Sequence, residues 1–172
     1  MTLKSEKSSY AAKVVRVNDI CKKSQNPSFC LTILTSKPGG VAGADLVTLA
    51  QYTIDIVRGN LTNSVALIKT LISNSGNDAT AKSHYQQCLM FFGDKEGALV
   101  DIDYTQELLK KGDYFGVNTA TSAVIVDVDN CINGEDPEQH PYPDKSDLPK
   151  NADYIDKVLE ILLVISQFLY QK

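Results

Sequence analysis

No stretch of this 172-residue chain runs through the roughly 18 to 20 apolar residues that a membrane-spanning helix needs, so no span is expected. Even residues 158–170, the most apolar segment, are interrupted by Glu160, Ser166 and Gln167. No Lys/Arg run exceeds two, and the formal net charge is −4, which argues against nucleic acid, because phosphate backbones are bound by clustered positive charge. Residues 1–10 lack the roughly 7–15-residue apolar centre of a secretory signal. Met1 is therefore expected near the end of a processed chain, with residues 1–12 a flexible N-terminus.

Chemistry-bearing patterns are just as scarce. His84 and His140 are the only candidates for a base at neutral pH, and neither has a sequence neighbour that suggests a nucleophile. Cys-x-x-Cys, His-Glu-x-x-His, Gly-x-Ser-x-Gly and Gly-rich phosphate loops are all absent. Asp127-Val-Asp129 starts like a calcium loop, but Cys131 and Ile132 stand where such a loop needs Asp or Asn and then Gly. Asp101/Asp103 and Asp127/Asp129 are spaced i,i+2, so on a helix the members of each pair point to different sides and cannot share a substrate. A chain without catalytic residues, metal or cofactor is expected, which favours a binding or inhibitory role.

What the chain does have is helical periodicity in an ordinary globular composition, 43% apolar and 22% charged, enough for one domain with a real core. Leu46, Leu49, Ala50, Val57, Leu61, Ile68 and Ile72 trace a long apolar stripe. A second stripe passes through Leu89, Phe92, Leu99 and Ile102, with a bend expected at Gly93 and Gly97, and a third through Val117, Ala120, Val124, Val128 and Cys131. Gly112-Asp113 separates these two with almost no loop, which makes them an antiparallel pair. Residues 132–150 hold Pro137, Pro141, Pro143 and Pro149 and are expected to be a long surface loop. Asn151 or Asp153 would then cap a last helix with its stripe at Ile155, Val158, Leu159, Leu162, Ile165 and Leu169. Before the bundle, residues 13–21 and 29–34 read as short helices joined at Asn26-Pro27-Ser28, where Pro suits a first helical position. No strand alternation or internal repeat competes with these patterns. The expected fold is all-α, an up-and-down four-helix bundle over residues 41–172 with an α-hairpin at residues 13–40, together one domain over residues 13–172.

Four cysteines fit two disulfides in an oxidising compartment. Cys21 and Cys30 flank the hairpin turn, and their pairing closes a short loop worth about 2.7 kcal/mol in the chain-entropy model. Cys88 and Cys131 then remain, closing a longer loop worth about 4 kcal/mol. Cys88 lies about 24 residues before the Gly112 turn and Cys131 about 18 after it, a mismatch of roughly 9 Å along the axis that a kink or uneven turn must absorb.

The combination of Ile20-Cys-Lys-Lys-Ser-Gln-Asn-Pro-Ser-Phe-Cys30-Leu31, Asp45-Leu-x-x-Leu-Ala, Tyr85-x-x-Cys88, Gly112-Asp113-Tyr114 and Cys131 resembles the plant invertase and pectin methylesterase inhibitors from Asn18 onward. The resemblance implies a secreted, extracellular bundle of the apoplast or cell wall, with disulfides in the same order. It also implies a proteinaceous inhibitor that blocks the active-site cleft of a cell-wall enzyme in a reversible one-to-one complex.

Invertase inhibitors of the family resemble one another in a Pro-Lys-Phe segment directly after the Gly-Asp of the turn, where Tyr114-Phe115 stands here. Asn118, four residues beyond Tyr114, is similar to the methylesterase branch. The expected target is thus pectin methylesterase, with acid invertase as the alternative and a bundle holding a small apolar ligand between its helices as another. The resemblance places the contact on the outer faces of the second and third bundle helices, where Asp94, Lys95, Asn118, Thr121, Asn130 and Asn133 are the candidates. Asn60-Leu61-Thr62 is a glycosylation sequon, with Asn60 its acceptor.

Overall fold

The computed structural model describes residues 15–42 and 44–171, so the N-terminal segment expected to be flexible lies outside the described residues. Seven helices and no strand form among them: α1 Val17–Lys22, α2 Pro27–Thr35, α3 Leu46–Asn74, α4 Ala79–Phe92, α5 Ala98–Lys111, α6 Tyr114–Asn133 and α7 Leu148–Tyr170. α4 and α5 are two halves of one bundle helix. Packing then runs in a ring, α3 on the α4–α5 pair, that pair on α6, α6 on α7 and α7 back on α3. This is the expected four-helix bundle.

Local chemistry sets the boundaries. Asp45, Asp78 and Asp113 cap α3, α4 and α6, their carboxylates accepting from the amides of Thr48, Ala81 and Gly116 at 2.7, 3.0 and 2.8 Å. Each cap is worth about 1 kcal/mol. Pro27 opens α2 as expected. Pro149 was expected in the loop but sits in the first turn of α7, which already starts at Leu148, because a missing N–H costs nothing where no intrahelical acceptor exists. The loop is accordingly 134–147, and the helix start is fastened by Ser146 Oγ accepting from the Leu148 amide at 3.1 Å, with neither Asn151 nor Asp153 as cap.

The bend expected at Gly93 and Gly97 is a full interruption. A Cβ on Gly97 would fall on the carbonyl oxygens of Met90 and Phe91, and one on Gly93 on that of Leu89, so residues 93–97 fold back over the end of α4. The excursion lets α5 resume where α4 stopped. It leaves the four residues of α4 beyond Cys88 and the 14 of α5 to match the axial run from Tyr114 to Cys131 on α6. That removes the axial mismatch, and the Cys88–Cys131 bridge forms with its Cα atoms 4.6 Å apart. Cys21–Cys30 closes the hairpin at 5.4 Å.

The hairpin explains why α7 is so apolar. Ile155, Leu159 and Leu162 are fully buried, but so is Ile161 on another side of the helix, and Val164 is buried too, since α1 and α2 cover the face that the bundle leaves free. Glu160 fixes the seat, its two oxygens accepting from Ser24 Oγ at 2.7 Å and the Gln25 amide at 2.9 Å. Phe29 meets Tyr154 edge to face at 5.6 Å beside them.

Candidate functional site

Gly112 takes the left-handed conformation (φ 75°) that ends α5, and Asp113 caps α6 at once, so these helices lie side by side with no intervening loop to cover them. Their outer face carries Val100 and Tyr104, one turn apart on α5, and Phe115 and Val126 on α6, with Tyr104 57% and Val126 55% exposed. Among the described residues, four of the six exposed large apolar side chains therefore belong to this one pair. On its α3 side the pair is anchored by Arg58, whose guanidinium donates to Asp103 at 2.9 Å and to Gln106 at 2.6 Å.

Asp101 on α5 and Asp127 on α6 come together across the seam. Burial, then the hydrogen bond to Asp101 and the charge of Asp101, push the Asp127 carboxyl up to about 8, and Asp127 Oδ2 is buried without a hydrogen-bond partner. Asp103 instead bonds Arg58, so the partner of Asp101 lies across two helices, where spacing along one helix gives no sign of it. On the next seam, burial and the charges of Asp129 and Asp153 push Asp156 of α7 up to about 7, and its Oδ1 is likewise buried and unpartnered.

The expected contact residues separate into groups. Asp94 and Lys95 are exposed in the 93–97 excursion. Asn130 is half-buried and Asn133 exposed in the last turns of α6, where Asn133 Nδ2 donates to Asp129. Thr121 is a correction: it is fully buried, its Oγ1 donating to the Val117 carbonyl at 2.6 Å, and a side chain that satisfies its hydroxyl against its own helix can sit inside the core. Asn118 is half-buried and donates to Ser166 Oγ of α7 at 2.8 Å. Asn60 is half-buried in the middle of α3 and donates to the Ile56 carbonyl at 2.8 Å.

A second polar assembly ties the 134–147 loop to α4. Asp144 Oδ1 accepts from Tyr85 Oη at 2.7 Å and from the Ser146 amide at 2.9 Å, while Oδ2 faces His84 Nε2 at 3.6 Å. The Asp144 side chain is only 4% exposed. The His84 ring stacks on Tyr142 at 4.4 Å, and its Nε2 stands 3.7 Å from Cys88 Sγ, so the lock abuts the disulfide. Burial raises the Asp144 carboxyl, but the bonds from Tyr85 and Ser146 outweigh it and hold the group below its usual range. Burial outweighs the pull of Asp144 on His84 and lowers the imidazole, which is neutral at pH 7. Burial and the bond to Asp144 push Tyr85 up to about 12.

Two cavities adjoin these features. One of about 570 Å³ lies between α3 and the α4–α5 interruption, floored by Val65, Leu89, Met90 and Leu99. Its walls come from α3, α4 and α5, and none from α6 or α7. The other, about 630 Å³, lies between the first turns of α4, the last turn of α6 and the loop, and His84 and His140 both line it. Among the described residues no group of three His, Cys, Asp or Glu is placed to hold a metal ion, and no helix is long and apolar enough to cross a membrane.

Comparison with known proteins adds an independent line. A family model described as plant invertase/pectin methylesterase inhibitor matches residues 16–165. Pectinesterase inhibitor 1 of Arabidopsis thaliana is 32% identical over 162 residues, covering 94% of this chain and 86% of that protein. A pectinesterase inhibitor of Actinidia deliciosa is 30% identical, covering 96% and 85%. The crystal structure of mutant form A of a pectin methylesterase inhibitor from Arabidopsis superposes with a TM-score of 0.76 at 28% identity, over 92% of this chain and 100% of that one.

Proposed function

Because the chain belongs to the plant invertase/pectin methylesterase inhibitor family, we propose that it is a proteinaceous inhibitor of a plant pectin methylesterase that lays the outer face of α5 and α6 over the enzyme's cleft. The relatives named above are inhibitors. The observation that carries the docking face is the concentration of exposed apolar side chains, Val100, Tyr104, Phe115 and Val126, on a single helix pair whose other exposed positions, Ala123 apart, are polar. Exposed apolar surface rimmed by polar groups marks contact with another protein.

Partner choice follows the turn. Tyr114-Phe115 replaces the Pro-Lys-Phe of the invertase branch, and the relatives named above are pectinesterase inhibitors. Phe115 is 66% exposed and meets Tyr170 edge to face at 5.5 Å, offering an aromatic surface with no cation. Two disulfides suit secretion to the cell wall. Residues 13–172 act as one inhibitor domain in a one-to-one complex. Titration of a plant pectin methylesterase and of an acid invertase with the purified protein at mildly acidic pH tests this reading. Loss of esterase activity with invertase intact is expected, and an untouched esterase at micromolar inhibitor refutes it.

A further inference from the structure

The docking face does not stop at the helices. Asn130 lies one turn beyond Val126 on α6 and forms, with Asn133, one wall of the 630 Å³ cleft whose opposite wall is the 134–147 loop. Gln87, Gln139 and the two histidines are among its other lining residues, and no Asp, Glu, Lys or Arg lines it, in a chain that is 22% charged. The loop wall has a defined shape. Gly134 turns the chain out of α6 with φ 80°, and Asp136 builds the next turn, its Oδ1 accepting from the Glu138 amide at 2.9 Å and its carbonyl from the Gln139 amide at 3.1 Å. Tyr142 and Asp144 then seat on His84 and Tyr85. The crest of the loop is acidic, with Glu135, Asp136 and Glu138 all exposed.

We infer that this loop is a second arm of the docking surface: its cleft with the end of α6 takes an uncharged, hydrogen-bonding tip of a loop on the esterase whose flanks are basic, and Asp144 is the positioning residue that holds the arm. The inference rests on the reading of the chain as an esterase inhibitor. The chemistry favours that partner on two counts. The lining offers carboxamides and imidazoles, which donate and accept but carry no fixed charge, so a buried ion would be left unpaired whereas a polar tip would be satisfied. The acidic crest of Glu135, Asp136 and Glu138 faces outward beside it, and flanks of the opposite charge complement such a crest. Because the wall is already tied to α4 by the Asp144 bonds, little ordering entropy is lost when the partner arrives.

Inhibition by five variants tests the inference, with folding followed by circular dichroism and thermal melting. Gln139→Trp fills the cleft without touching the Asp144 bonds. It is expected to weaken inhibition on the order of tenfold at an unchanged melting temperature. Asp144→Ala is expected to weaken it comparably by releasing the arm, whereas Asp144→Asn keeps an oxygen for Tyr85 and Ser146 and should restore inhibition. Replacing Glu135 and Glu138 together by Gln should slow association and flatten its salt dependence. Full inhibition by Gln139→Trp, in a protein where Val126→Arg abolishes inhibition, overturns the second arm and leaves the helical face standing. Full inhibition by both variants removes the helical face as well.

Discussion

The lock around Asp144 and the seams around Asp127 and Asp156 both bury carboxylates, yet they do so in opposite ways. Asp144 receives two strong donors and stays ionised, so the loop is held by hydrogen bonds that persist across the ordinary pH range. All three leave one buried oxygen without a hydrogen-bond partner, but Asp127 and Asp156 sit beside other carboxylates instead of two donors, so the folded state favours their protonated forms. Burial alone thus does not decide what an acid contributes. The donors that reach it do.

Linkage turns the contrast into opposite responses to pH. A carboxyl raised in the folded state contributes stability that is present below its unfolded value and is lost as pH climbs through about 7 and 8. His84, lowered in the folded state, contributes stability that is present above its unfolded value and is lost as pH falls below it. The α5–α6–α7 seams are therefore firmer in acid than at neutral pH, and the loop lock is firmer near neutrality than in acid.

The largest effect that separates the two regions comes from the disulfide beside the lock. Replacing Cys88 and Cys131 by Ser is expected to cost about 2 to 5 kcal/mol by chemical denaturation, a large share of a typical domain's stability. Tyr85→Phe comes next. It leaves a buried carboxylate short of one donor, for a loss of about 1 to 3 kcal/mol, and the pKa of His84 measured by NMR should move with it. The seams should give the smallest change. Wild-type melting temperature is expected to fall between pH 5.5 and pH 8.5, and Asp127→Asn to remove much of that fall by presenting an uncharged partner to Asp101. A slope unchanged in that variant would remove the seam from the account.

Features carried by one helix at a time were legible in the sequence. The apolar stripes located all four bundle helices because each stripe reports its own burial, and Pro27 and the Gly112-Asp113 turn marked boundaries through local backbone chemistry. Both disulfides could be paired because one is local and the other is what then remains. Thr121 misled because a hydroxyl can bond its own helix and enter the core. Pro149 misled because proline in a helix's first turn looks the same as proline in a loop. The Asp101–Asp127 pair depends on the register between two helices, and the Tyr85–Asp144 bond joins residues 59 apart in sequence, so neither has a signature within a short window. The length of the 93–97 excursion was hidden too, although the two glycines that permit it were visible.

The docking face is tested most directly by comparing two arginine substitutions at exposed positions, Val126→Arg on α6 and Thr62→Arg on α3, in titrations of a plant pectin methylesterase at mildly acidic pH. Both variants should fold like the wild type. A long cation on the α5–α6 face should abolish inhibition, because it replaces an apolar contact with a bulky charge that must be desolvated. The same change on α3 should leave inhibition intact. Equal inhibition by the two variants, or loss of inhibition through Thr62→Arg alone, would contradict the account.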